Sequence, residues 1–187
     1  MFSYWGYLKI IDFSVAVIDR AHDDDMVTAP DKWKLNSGTI HTMAPEVLSQ
    51  QAYDHRSDYY QVGLLMYHMM TGEHMPIDKW PAHALRSILE RDVSEQTLSK
   101  HMPHASDEII NLISSLLHVE PSFRLGSWLG IGEILRHPAF RDLNVRELWD
   151  HNLPSPFWLG PHKLLINWKQ LNKRDMKLKV NEELRVS

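Results

Sequence analysis

Apolar residues are densest in one segment near the middle of the chain. The run "DYYQVGLLMYHMM" follows Ser57, a residue that often caps helices, and ends before Gly72, which suits a helix C-terminus. Apolar side chains occur on nearly every side of such a helix, which is typical of a buried element. The pattern therefore predicts a central helix over 57–71.

Three further segments carry apolar residues at helical spacing. The first, 81–92, begins with a proline, which is well tolerated in the first turn of a helix. The second, 106–119, opens with Ser106 as a cap and an early acidic residue. The third, 130–140 (GIGEILRHPAF), closes the globular part. The chain is therefore predicted to be mainly helical.

The N-terminal part has a different pattern. Residues 8–13 and 15–18 are rich in apolar and β-branched residues and predict two short strands forming a small β-hairpin, with Gly6 as a turn residue before them. From residue 19 to 43 the periodicity disappears, which predicts a long loop. Loops of this length are commonly functional.

The amino-acid composition and net charge exclude some classes of function and of binding site. The 187 residues carry a net charge of −4 and no cysteine. These totals give no reason to expect a nucleic-acid partner, and they exclude disulfides and thiolate metal sites. No apolar run is long enough to predict a membrane span. The twelve histidines follow no ligand spacing. We expect a cytoplasmic protein, with a nuclear location as the open alternative.

A compositional change near residue 141 predicts a boundary. Beyond it, three prolines and three tryptophans punctuate the chain, and 163–179 is basic. We interpret 141–187 as an extension that packs through its aromatic residues, and the basic stretch as a solvated terminal face.

Four motifs, in one order, resemble the C-terminal lobe of a protein kinase. They are "IIDFS" (10–14), similar to the D-F-G element; "SGTIHTMAPEVL" (37–48), ending in an intact A-P-E; "YDHRSDYYQVGLLMYHMMTG" (53–72), similar to the central lobe helix; and "EPSFRLG" (120–126), followed by "HPAF". The resemblance implies a kinase-like C-lobe over 1–140, with the N-lobe lacking, and an extension over 141–187.

The resemblance also implies roles for individual residues. Asp12 corresponds to the carboxylate that holds Mg²⁺ against the phosphates of ATP, and Phe13 to the apolar plug that orients it. Ser14 takes the place of a glycine. Gly38 and Thr39 correspond to the floor on which a peptide substrate lies.

Three further positions receive structural roles from the same resemblance. Glu46 and Arg124 correspond to an ion pair that ties the end of the activation segment to the lobe. Asp58 corresponds to a helix aspartate that accepts hydrogen bonds from the catalytic loop. Because no H-R-D-x-x-x-x-N stretch occurs in this sequence, we expect this carboxylate to find other donors, stay hydrated or raise its pKa.

The motif "RLG" after "EPSF", with "PSPF" at 154–157, indicates the AGC group of serine/threonine kinases, and its ribosomal-protein kinase relatives in particular. The chain departs from that group in two ways. Leu35 stands where those kinases carry a threonine, and the tail has no Phe-x-x-Phe motif.

Three functional interpretations follow. The first is a partial serine/threonine kinase that uses ATP and Mg²⁺ on protein substrates, with these 187 residues alone inactive because they contain no G-x-G-x-x-G loop and no catalytic loop. The second is a noncatalytic, pseudokinase-like binding module whose partner covers an exposed apolar face of the central helix. The third, an unrelated helical protein, requires all four motifs to be coincidental. The isolated chain is expected to be poorly soluble.

Overall fold

The computed structural model describes Ser3, residues 6–14, Ala16, and residues 39–51, 53–76 and 81–155. The chain divides into two compact units, which we describe separately. The larger unit comprises 14–146, and the smaller one comprises 1–13 with 147–187. Most of the predicted loop at 19–43, including Leu35, and the basic stretch at 163–179 lie outside the described residues.

The described part of the chain is mainly helical, as the sequence predicts. Its seven α-helices are α1 (Pro45–Leu48), α2 (Arg56–Thr71), α3 (Pro81–Leu89), α4 (Glu95–His101), α5 (Asp107–Leu116), α6 (Ile131–Leu135) and α7 (Val145–Trp149). Three short 3₁₀ helices are η1 (Ile40–Thr42), η2 (Pro121–Phe123) and η3 (Pro138–Phe140). None of the helices in the described ranges is both long enough and apolar enough to cross a bilayer.

Helix α2 runs through the core of the larger unit and packs mainly against α5. The predicted stop is confirmed: Gly72 adopts a left-handed φ of 73°, and its N–H donates to the carbonyl of His68. The predicted start is wrong, because His55 and not Ser57 is the cap residue. Ser57 lies inside the first turn of the helix, and its hydroxyl donates to the side chain of Glu46.

The other predicted helices form with shorter bounds. Helix α5 begins after Ser106, whose hydroxyl accepts a hydrogen bond from the Ile109 N–H, so the predicted cap is confirmed. The predicted segments 81–92 and 106–119 end at Leu89 and Leu116, respectively. Beyond the end of α5, Leu117 still packs in the core, which explains the longer prediction for that segment.

The core of the larger unit forms where α2, α4 and α5 meet. Gly63 of α2 faces Leu116 and Leu117 so closely that an added Cβ would lie 3.0 Å from their atoms. The main cluster of buried residues is Ala44, Leu48, Tyr60, Leu64, Tyr67, Met75, Ile88, Leu98, Met102, Ile110, Ile113 and Leu117. A second cluster is formed by Leu112, Leu116 and Ile134.

Helix α2 is buried on one side only. Tyr60, Leu64 and Tyr67 lie in the core, but four apolar residues remain exposed on the helix: Val62 at 42%, Leu65 at 53%, Met69 at 64% and Met70 at 44%. We call these four residues the exposed α2 face. The exposed apolar helix face that the second functional interpretation expects is therefore present, although the apolar pattern around the helix also predicts a central, buried element.

The predicted N-terminal β-hairpin is not observed. Leu8 makes an isolated bridge, residues 9–13 have no regular structure, and most of 15–18 lies outside the described residues. Leu8 and Ile10 are 69% and 85% exposed, so these side chains bury little area against a facing layer. Without such a layer an isolated hairpin is marginal at best, which accounts for the irregular structure of the described residues 9–13.

The smaller unit is held by polar contacts between its two sequence segments. The Tyr7 hydroxyl lies 2.9 Å from the carbonyl oxygen of His151 and 2.6 Å from that of Leu153. The Ser155 hydroxyl donates to the carbonyl of Gly6 at 2.7 Å. Residues 6–7 and 151–155 therefore associate, although they are far apart in the sequence.

Candidate functional site

The candidate site lies at the end of the loop that the sequence analysis singles out, at 39–48. The η1 turn is closed by the Thr42 hydroxyl, which donates to the Thr39 carbonyl at 2.9 Å, and by the Met43 N–H, which donates to the Ile40 carbonyl. Helix α1 starts at Pro45, immediately after Met43 and Ala44. Thr39 is exposed, whereas Ala44 is fully buried, so the chain enters the core between them.

Glu46, in the first turn of α1, forms a bidentate ion pair with Arg124. The Arg124 Nη1 lies 2.7 Å from Glu46 Oε1, and Nη2 lies 3.0 Å from Oε2. The Ser57 hydroxyl donates to Oε1 as well, at 2.8 Å. The pair is nearly inaccessible, since Glu46 is 5% and Arg124 is 1% exposed.

Every N–H of the Arg124 guanidinium has an acceptor. Besides Glu46, Nε donates to the carbonyl of His118 at 3.0 Å, Nη1 to that of Arg56 at 2.7 Å, and Nη2 to that of Val119 at 3.3 Å. An arginine offers five such donors in a planar fork, and all five are used here. The face of the guanidinium lies over the Tyr60 ring, 5.0 Å from its centroid.

The charge of Glu46 is stabilised by this environment. Burial alone raises the pKa of the Glu46 carboxyl, but the hydrogen bond and charge of Arg124 more than offset it. The pKa consequently lies below its usual value, and Glu46 is ionised at neutral pH. A buried and fully paired carboxylate of this kind can position the chain but cannot reach a substrate.

Asp58 lies in the first turn of α2, one residue after Ser57, and is exposed overall. Its partial burial raises the pKa of its carboxyl, and the charge of His55 opposes this increase. Of the three outcomes expected for a carboxylate without a catalytic loop, both a hydrated side chain and a raised pKa are consistent with this position.

Asp12 and Phe13 belong to the smaller unit, and Ser14 belongs to the larger one. All three are exposed, with the Phe13 side chain at 68%. Asp12 adopts a left-handed φ of 63°, an uncommon conformation that aspartate tolerates better than most residues. Gly38 lies outside the described residues.

Comparison of the sequence with known proteins identifies its family. The family model described as "Protein kinase domain" matches residues 1–140. The chain belongs to the protein kinase family. G protein-coupled receptor kinase 4 from Mus musculus is 30% identical over 160 residues, which is 85% of this chain and 26% of the mouse protein. The Rattus norvegicus protein of the same name matches to the same extent.

This kinase chain spans about a quarter of the length of the curated relatives it matches. Kinases of the family generally use ATP and Mg²⁺ and act on protein substrates. Among the described residues, no group of three or more His, Asp or Glu side chains is arranged to hold a metal ion. Asp12 fits as one oxygen ligand, and the remaining ligands of a magnesium ion must come from nucleotide phosphates, water or other protein groups.

Sequence reasoning missed two contributors to the Glu46–Arg124 site. The sequence pattern indicates a helix cap at Ser57 and a core residue at Tyr60, yet both contact the ion pair. Ser57 lies between two charged residues in the sequence, and this local pattern does not indicate that its side chain contacts another helix. The backbone carbonyls that Arg124 binds have no sequence signal at all.

Proposed function

We propose that the chain is the C-terminal-lobe portion of a serine/threonine protein kinase of the AGC group. In this proposal residues 1–140 form the lobe from the D-F-G-like strand onward, and 141–187 form an AGC-type extension. The parent enzyme transfers the γ-phosphoryl group of ATP to serine or threonine hydroxyls of proteins in the cytoplasm.

The observation that carries the proposal is the buried pair of Glu46 and Arg124. The pair fixes α1, and with it the end of the segment in which Gly38 and Thr39 are proposed to form the peptide floor. Phosphoryl transfer depends on positioning the acceptor hydroxyl in line with the phosphate. A floor anchored by a fully satisfied ion pair serves that need.

The N-terminal residues supply the proposed link to the nucleotide. Asp12 holds Mg²⁺, Phe13 packs to orient it when the nucleotide-binding half is present, and Ser14 replaces the usual glycine. Asp58, whose pKa is raised in this chain, is proposed to accept hydrogen bonds from a catalytic loop in the parent enzyme.

We further propose that these 187 residues alone do not transfer phosphate. The sequence has neither a G-x-G-x-x-G loop to cover the phosphates nor an H-R-D-x-x-x-x-N stretch to supply the catalytic base and a second metal ligand. Asp12 alone cannot position ATP.

A phosphorylation assay tests the proposal directly. Purified 187-residue chain and a longer form of the same protein that includes a catalytic loop are incubated with Mg²⁺, γ-labelled ATP and mixed Ser/Thr or Tyr peptides. We expect label on Ser/Thr peptides with the longer form only. Labelling of tyrosine peptides alone would contradict the serine/threonine assignment, and labelling by the 187-residue chain would contradict its proposed inactivity.

The exposed α2 face favours one alternative, a noncatalytic binding module. Val62, Leu65, Met69 and Met70 present apolar surface without an observed covering layer in the described residues. Under this alternative a native polypeptide near 21.9 kDa is isolated in a stable complex with one protein. Substitution of Leu65 and Met69 by glutamate would release that partner, whereas substitution of the exposed His104 would not.

A further inference from the structure

A chain of side-chain hydrogen bonds connects α4, α5 and the η3 turn of the larger unit. His137 Nε2 lies 2.8 Å from Asn111 Oδ1 on α5, and Asn111 Nδ2 donates to Glu95 Oε1 on α4 at 2.6 Å. The other ring nitrogen, Nδ1, accepts the backbone N–H of Ala139 at 3.2 Å and thereby caps η3.

The proton positions in this hydrogen-bond network are determined by the groups at its two ends. An ionised Glu95 can only accept, so the amino group of Asn111 must face it and the Asn111 oxygen must face His137. At the other end the Ala139 N–H can only donate, so Nδ1 carries no proton. His137 is therefore neutral, with its single proton on Nε2.

The charges around His137 come from both packed helices and from the following turn. Glu95 lies beyond Asn111, and Glu108 of α5 is paired with Arg141, whose Nη2 lies 2.5 Å from Glu108 Oε1. Burial lowers the pKa of His137, and the negative charge of Glu108 opposes this shift. The pKa of Glu108 is itself lowered, by backbone and Ser106 hydrogen bonds ahead of Arg141, so the Glu108–Arg141 pair stays charged while His137 titrates.

We propose that His137 is a proton-operated latch that holds the η3 turn against α5 when neutral and releases it when protonated at Nδ1. A proton on Nδ1 faces the Ala139 N–H, so two donors meet and the cap of η3 is lost. The bond to Asn111 persists, because Nε2 keeps its proton. Protonation therefore breaks the hydrogen bond between His137 and the η3 turn, whereas the hydrogen bond to α5 remains.

The direction of the pH dependence follows from the lowered pKa in the folded chain. The unfolded chain binds the proton at pH values where folded His137 is still neutral, so stability rises with pH in that interval. The contribution of neutral His137 to the stability of the folded chain is fully present above pH 6.5, the ordinary pKa of histidine. It is lost as the pH falls from 6.5 through the lower folded pKa. The inference does not depend on kinase activity.

Nitrogen-15 NMR of the full chain, with labelled histidine, tests the latch first. At pH 7.5 we expect His137 in the Nε2–H tautomer with an unprotonated Nδ1, and a titration midpoint below 6.5. An Nδ1–H tautomer at pH 7.5, or a midpoint above 6.5, overturns the proposal.

Amide exchange at Ala139, corrected for the intrinsic rate at each pH, tests the release. The protection factor is expected to fall by up to ~10-fold for each pH unit between 6.5 and the lower folded midpoint, and to level off below it, because the protonated state without this hydrogen bond then dominates. His137→Asn keeps an acceptor near the Nδ1 position without titrating, so its protection should not change with pH. The exposed His104→Gln variant should behave like the wild type. Equal pH dependence in His137→Asn and the wild type would overturn the proposal, and if that variant fails to fold, the tautomer measurement decides alone.

Discussion

Arg124 and Glu46 are 78 residues apart in the sequence and 2.7 Å apart in the fold. This contact ties the start of α1 to the segment that follows α5, and Ser57 joins α2 to the same point. Three elements thus converge on one buried carboxylate. The geometry of the proposed peptide floor depends on this convergence.

The first prediction concerns removal of one partner of the pair. Glu46→Ala leaves Arg124 buried and unpaired, and we expect it to lower the free energy of unfolding by about 3–5 kcal/mol. Urea denaturation followed by circular dichroism measures the change. The double variant Glu46→Leu with Arg124→Met should be less destabilised than either single truncation, because no charge stays buried. A loss below about 1 kcal/mol for Glu46→Ala would contradict the buried pairing.

The second prediction uses the lowered pKa of Glu46. The contribution of the ionised pair is present above the ordinary value of 4.5 and is lost as the pH falls through the lower folded pKa. A protonated carboxyl resembles the neutral amide of the Glu46→Gln variant, so the difference in unfolding free energy between the wild type and that variant should shrink below this interval. Thermal melts from pH 7 to pH 3 provide the measurement. A difference that grows on acidification would reverse the assigned sign.

The third prediction tests the close approach of α2 and α5. In Gly63→Ala the new methyl group would lie 3.0 Å from Leu116 Cβ, which the α5 backbone holds in place. Overpacking costs about 1–3 kcal/mol, which outweighs the gain in helix propensity of up to ~1 kcal/mol. We expect a net loss of stability by chemical denaturation.

Gly132→Ala is the matched control for this substitution. Gly132 also lies in a helix, α6, but nothing surrounds its Cβ position within 4 Å. We expect this variant to be as stable as the wild type or more stable. A stabilised Gly63→Ala would show that α2 and α5 do not approach as closely as described.

Much of the helical architecture could be predicted from the sequence, and the exceptions have physical reasons. Helices α2 and α5 were predicted because each carries a long apolar pattern, with terminal signals at Gly72 and Ser106. Helix α4 was missed because Leu98 is its only buried residue, which leaves no apolar period to detect. The hairpin at 8–18 was predicted from apolar and β-branched residues, which form a sheet only when a face is covered, and most of its second strand lies outside the described residues.

The site was predicted less completely than the fold. The pairing of Glu46 with Arg124 was expected from the kinase resemblance. Neither the composition nor the spacing of residues in the sequence indicates this pair. The roles of Ser57, Tyr60 and three backbone carbonyls emerge only when distant segments meet in space. Asp12 and Thr39 remain predictions as functional residues.

The fourth prediction concerns the exposed α2 face. Leu65→Glu with Met69→Glu should reduce self-association of the chain, since both side chains are more than half exposed and make few core contacts. Sedimentation velocity at micromolar concentration measures the effect, and the melting temperature should change little. As a control, Leu64→Glu should unfold the protein, because Leu64 is buried in the core. A monomeric wild type with a sharp, reversible melt would contradict the expected association.

The most direct test of the account is phosphoryl transfer by the longer form of the protein when Asp12 is replaced by asparagine. We predict that Asp12→Asn abolishes labelling of Ser/Thr peptides at saturating ATP and Mg²⁺, because the amide does not hold the metal against the phosphates. The exposed Asp142→Asn variant, which removes the same charge outside the proposed machinery, should retain wild-type activity. Unchanged labelling by Asp12→Asn would contradict the assignment of this chain to the metal-binding half of a phosphotransferase.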